Sequence, residues 1–131
     1  MRFFSTIPKK KFPWQSRLEP LAKALLKKEK KNDSVNIVLC DDTMQRTLNR
    51  DFRKLNKVTD VLSFVWNDPN FLGEIYIAEA QVKKQAPLYG NSYYKELKRV
   101  LVHGLLHICG YDHHSKAERK IMREKERFYY I

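Results

Sequence analysis

Apolar residues recur at two different periods along this chain, and the switches between them predict its elements. Residues 1–12 read as an extended arm with an edge strand around Arg2–Ile7. From Trp14 to Lys31, Leu18, Leu21, Ala22, Leu25 and Leu26 fall at helical spacing with lysines opposite, which predicts an amphipathic helix. Asn32-Asp33-Ser34 breaks it. Val35–Cys40 is a short apolar run suited to a buried strand. Asp41-Asp42-Thr43 is helix-start chemistry for a helix to about Lys54, with Met44, Leu48 and Phe52 as its expected inner stripe. Val58–Trp66 and Phe71–Ile77 flank the turn residues Asn67-Asp68-Pro69-Asn70 and predict a hairpin. A helix from about Ala78 stops at Gln85, before Pro87. A longer one opens at Asn91 or Ser92 and runs to Cys109, with Leu97, Leu101, Leu105 and Ile108 as its stripe. Ser115–Tyr130 predicts a last, charged helix.

Helices outweigh strands, and the two mix without strict βαβ alternation. The expected fold is therefore α+β: residues 1–131 form a single domain with a small β-sheet on one side of the helices. No apolar run approaches the roughly 20 residues of a membrane span, and Met1-Arg2-Phe3-Phe4-Ser5 has no sustained apolar segment, so a cytoplasmic protein without a membrane partner is expected. Cys40 and Cys109 are too few for a disulfide framework and read as buried thiols of a reducing compartment. Charge changes the picture more. The net charge is +11, and residues 1–31 carry ten basic side chains against Glu19 and Glu29. Such an excess suits a polyanion, nucleic acid or an anionic membrane surface, and equally suits a solvated helix face.

The chemistry concentrates in one stretch, His103-Gly104-Leu105-Leu106-His107-Ile108-Cys109-Gly110-Tyr111-Asp112-His113. His103 and His107 stand i, i+4, so their rings leave the helix only about 40° apart. Gly110 is suited to end that helix in the left-handed conformation and let the chain return with His113. Three neutral imidazoles at the C-terminal end of a central helix suit one divalent metal ion, zinc foremost, with a position left for water; nickel, copper and iron accept the same ligands. The spacing is that of the metzincin-type peptidase signature with Gly104 in place of the glutamate that serves there as base. Glycine can move no proton. Zinc by itself lowers the pKa of bound water to about 7, and phosphodiester cleavage depends more on stabilising charged oxygens than on delivering a proton to an amine. Gly104 also admits a close neighbour, either another backbone or a substrate. Asp112 reads either as a carboxylate orienting a ligand imidazole or as a turn residue; His114 reads as surface, Cys109 as core, and Glu96, two turns up the histidine face, as solvated.

This eleven-residue stretch resembles the hallmark H-G-x-L-H-L-x-G-Y-D-H of the YbeY family of bacterial metal-dependent endoribonucleases, with Ile108 as a mild variation. Leu48-Asn49-Arg50-Asp51-Phe52-Arg53 followed by Thr59-Asp60-Val61-Leu62-Ser63-Phe64 is similar to the family's second block, and Leu72-Gly73-Glu74-Ile75-Tyr76-Ile77 to its third. The resemblance covers roughly residues 35–114. It departs in the short basic N-terminal region and at Val65-Trp66, where the family often has proline, and both differences bear on RNA contacts. It implies a small mixed sheet with about half a dozen helices, and one zinc-like ion on His103, His107 and His113. It also implies cleavage of single-stranded RNA in small-subunit rRNA 3′-end maturation and ribosome quality control. The implied partners are the small ribosomal subunit, a ribosome-associated GTPase and a ribosomal protein. The family's catalytic arginine maps onto Arg53, whose planar fork can hold a phosphate bidentately. Thr59, Asp60 and Ser63 either line the same cleft or cap the hairpin. Two competing readings are a metallopeptidase or amidase with its base elsewhere, and a non-catalytic RNA- or ribosome-binding assembly factor with a structural metal.

Overall fold

The strand expected at Val35–Cys40 is the backbone of the sheet. In the computed structural model, which describes residues 4–7, 9–55, 58–112 and 114–130, it is β2. β1 (Phe4–Ile7) runs parallel to it at one edge, and Arg2 and Phe3 of the expected arm lie outside the described residues. β4 (Phe71–Ala78) runs parallel on its other side, and β3 (Val61–Asp68) pairs antiparallel with β4. The order is β1-β2-β4-β3, a mixed sheet. The hairpin turns where expected: Asp68 Oδ1 accepts from the Asn70 amide at 2.8 Å, and the register slips between Val65 and Asp68.

Five α-helices complete the described fold: α1 (Gln15–Lys28), α2 (Asp42–Arg53), α3 (Glu79–Gln85), α4 (Tyr93–Ile108) and α5 (Lys116–Tyr130), with one 3₁₀ turn at Pro87–Tyr89. Their ends carry the expected chemistry. Asp41 accepts from the Met44 amide at 2.8 Å, and Ser92 from the Lys95 amide at 3.2 Å. Ser115 and Glu118 form a reciprocal capping box at the start of α5. The core sits between one sheet face and the helices α1 and α4: Ile37, Leu39, Ile75 and Ile77 meet Leu18, Leu25, Leu97, Leu101 and Leu105, all buried. Together these elements make a single α+β domain.

Two expectations need correction. The inner residues of α2 are not Met44, Leu48 and Phe52: Gln45 and Asn49 are fully buried, whereas Met44 and Leu48 are half-buried and Phe52 is 68% exposed. Gln45 earns burial by donating to the Tyr76 carbonyl at 3.0 Å and receiving the Cys40 thiol at 3.1 Å. Glu96 is not solvated either. It is wholly buried and accepts from Arg99, Asn91 (2.9 Å) and Gln85 (2.7 Å). Burial raises its pKa, but these donors outweigh that and hold the carboxyl below its ordinary range.

Candidate metal centre and its cleft

α4 lies along the core side of β3 and β4, so close at position 104 that any added side chain would crowd the sheet. A Cβ there would stand 3.0 Å from Ile75 Cγ2 and 3.3 Å from both Ser63 Oγ and Val61 Cγ2. Ser63 Oγ donates to the Gly104 carbonyl at 3.2 Å across this contact. The neighbour that Gly104 admits is thus the sheet. One residue before and three after it, His103 and His107 emerge half-buried beside β3.

The two imidazoles converge. Their Nε2 atoms are 3.2 Å apart and their rings meet edge to face, centroids 4.7 Å apart. Nitrogens bound tetrahedrally about 2.0–2.1 Å from a zinc ion stand roughly 3.3 Å apart, so the pair already has the spacing of two ligands. On the far side of His103, Nδ1 meets Glu126 Oε1 of α5 at 2.6 Å. A carboxylate there keeps the proton on Nδ1 and the lone pair of Nε2 directed at the cleft. The donor set therefore fits a divalent ion. His113, the third expected ligand, lies outside the described residues; among those described, no group of three His, Cys, Asp or Glu side chains is assembled for a metal. Gly110 has φ +103°, as its helix-ending role requires.

Glu126 escaped the sequence reading because it lies 23 positions from His103. Its place is fixed by a second cluster, in which Glu29, just after α1, accepts from Tyr111 (2.7 Å), Lys125 (3.2 Å) and Tyr129. Those contacts moor α5 to α1 and α4. Asp112 pairs with His114 at 3.0 Å. His114 is exposed as expected, though it borders the cleft. Cys109 packs half-buried against the core, and burial raises its thiol to about 11 and that of Cys40 to about 12. Neither is poised as a nucleophile.

In front of the histidines opens a cleft of about 590 Å³, walled by Arg53, Thr59, Asp60 and Ser63. Arg53, the last residue of α2, is exposed and donates from Nη2 to the Ser63 carbonyl at 3.2 Å. Asp60 accepts from Gln85 at 3.0 Å, which ties it to the Glu96 cluster. Residues far apart in the chain, a guanidinium and two imidazoles, thus share one cavity.

Against known proteins, residues 5–130 match the family model described as Endoribonuclease YbeY. The chain is 37% identical to Endoribonuclease YbeY of Endomicrobium trichonymphae over 94% of its length and 86% of that protein. It is 39% identical to the protein of that name from Thermosipho melanesiensis, over 76% of its length and 73% of the relative. The solution structure of TM1509 from Thermotoga maritima superimposes with a TM-score of 0.72 at 32% identity, covering 98% of this chain and 85% of that one.

Proposed function

This chain belongs to the YbeY family of endoribonucleases, enzymes that act on RNA, and on that premise we propose that it cuts single-stranded RNA at a divalent metal centre, zinc foremost, held by His103, His107 and His113. We place its work in small-subunit rRNA 3′-end maturation and ribosome quality control. The expected setting is the cytoplasm, and the expected partners are the small ribosomal subunit, a ribosome-associated GTPase and a ribosomal protein. No helix among the described residues is long and apolar enough to cross a membrane.

The observation that carries this reading is the 3.2 Å approach of two Nε2 atoms inside a cleft that also holds Arg53. A zinc ion there would draw charge from a phosphate oxygen and lower the pKa of bound water to about 7. The chain's own groups do the rest. Arg53 grips the phosphate through its planar fork and stabilises the charge that builds on its oxygens. Glu126 orients His103. Gly104 weighs against the peptidase alternative, since a glutamate there would leave its Cβ crowded against Ile75, Ser63 and Val61.

The test pairs metal analysis with cleavage of a single-stranded oligoribonucleotide. Wild type is expected to hold one ion and cut. His107→Ala should lose the ion and at least 1,000-fold in rate, and Arg53→Ala should keep the ion and lose about 100-fold or more. Glu126→Ala should weaken metal binding by about 10- to 100-fold in a chelator competition. Undiminished cutting by His107→Ala would overturn the proposal. Tight, salt-sensitive RNA binding by wild type with no products would favour the assembly-factor alternative. A single 2′-deoxy sugar at the scissile position then separates attack by water from attack by the RNA's own 2′-hydroxyl, which only the intact ribose can supply.

A further inference from the structure

The sheet face opposite α4 carries an aromatic surface that neither the metal centre nor the core uses. Phe64 pairs with Glu74 and Leu62 with Tyr76 in the β3–β4 register, which puts these residues on the face where α2 lies. Phe52 of α2 meets Phe64 edge-on with centroids 5.5 Å apart, Phe64 meets Tyr76 at 5.8 Å, and Trp66 meets Phe71 at 5.6 Å. Between them is a groove of about 390 Å³ lined by Leu48, Phe52, Phe64, Val65 and Trp66. Phe52 is 68% exposed, Trp66 57% and Val65 49%. Contiguous exposed aromatic surface of this kind marks a site of interaction.

Two features identify what covers it. The groove is continuous with the cleft, because Val65 lines both. Arg53 stands at the junction, with its guanidinium carbon 6.0 Å from the centroid of the Phe64 ring and its Nη2 on the cleft wall. Glu74 and Tyr76 complete the lining, the Tyr76 hydroxyl donating to the Glu74 carboxylate, so the exposed guanidinium of Arg53 is the cation that the contacts place beside the rings. Flat aromatic faces that run on from the cleft past an exposed guanidinium suit a single strand of nucleic acid, whose bases stack on rings while a phosphate pairs with the arginine.

We propose that this groove seats the bases of the RNA strand next to the scissile phosphate, with Trp66 and Phe52 as the stacking surfaces. The assignment rests on the cleft being the RNA-cutting centre. It also gives Val65-Trp66, where the chain departs from the family pattern, a part in choosing unpaired RNA: a base held in a duplex cannot offer its face to a ring.

Trp66→Ala and Phe52→Ala decide the matter, with Trp66→Phe as the variant that retains a ring. Each is assayed on a single-stranded oligoribonucleotide and on the same strand carrying abasic sites beside the cleavage point, with thermal melting as the check on folding. Trp66→Ala should raise KM about 10-fold with a much smaller change in kcat. Trp66→Phe should stay within about threefold of wild type, and the abasic strand should abolish the difference between wild type and Trp66→Ala. An unchanged KM for a folded Trp66→Ala overturns the proposal while leaving the nuclease assignment intact, as does a KM that rises equally on the abasic strand. A change in oligomeric state with KM unmoved would show a protein–protein face instead. If wild type itself cuts no RNA, the reading beneath the proposal fails with it.

Discussion

α2 and α4 are both amphipathic and both reach the cleft, yet they solve burial in opposite ways. α4 behaves as its pattern dictates: Leu97, Leu101, Leu105 and Ile108 are buried, and the histidines break the surface on one flank. α2 turns its amides inward and leaves an aromatic ring in solvent. The difference comes from what each helix lies against. α4 packs its leucines on the apolar side of the sheet, where area removed from water is the main gain. α2 lies across the other face, where Gln45 donates to the Tyr76 carbonyl and accepts the Cys40 thiol. A hydrophobic stripe identifies the buried face of a helix only where its support offers no polar partners that let amides take that face.

That contrast can be broken at several points. The largest effect is expected from Gly104→Glu, which drives a carboxylate into the α4–β3 contact; a loss of about 4 kcal/mol or more in a denaturant titration would show that the packing excludes the peptidase-type base. Gly104→Glu folding at wild-type stability would mean the two elements part readily. Next comes Glu96→Ala, which leaves Arg99 beside an emptied buried site and should cost about 3 kcal/mol. The pH dependence follows from the same contacts. Because the folded carboxyl titrates below an ordinary Glu at about 4.3, its contribution is complete above that pH and disappears as pH falls through the depressed value. Acid melts of wild type and Glu96→Gln should therefore draw together as pH falls below the ordinary glutamate range.

The sharpest test of α2 compares two single substitutions. Gln45→Ala empties a fully buried site and removes the contacts to the Tyr76 carbonyl and the Cys40 thiol, and should cost about 2 kcal/mol, whereas Phe52→Ala should cost under about 0.5 kcal/mol. If the aromatic proves the costlier residue, α2 has been assigned the wrong inner face.

Much of the molecule was legible in the chain. The hairpin turn at Asp68–Asn70, the caps at Asp41, Ser92 and Ser115, and the i, i+4 convergence of His103 and His107 are local, set by a few neighbouring dihedral angles and side chains. The histidine spacing and the absent glutamate at Gly104 were read from one short stretch for the same reason. Glu96 misled because its donors, Gln85 and Asn91, come from outside α4, and burial without them would have been untenable.

The sequence by itself determined the periodicities, the helix ends, and the convergence of His103 and His107 on one flank of α4, because each depends on spacing along a regular backbone. Only the tertiary structure decided that Glu126 meets His103, that Arg53 opens into the histidine cleft, that the sheet and not a substrate fills the space beside Gly104, and that α2 lies with its amides inward. Those are meetings of distant segments, and hydrogen-bond satisfaction and close packing choose them from many that the same periodic pattern would permit.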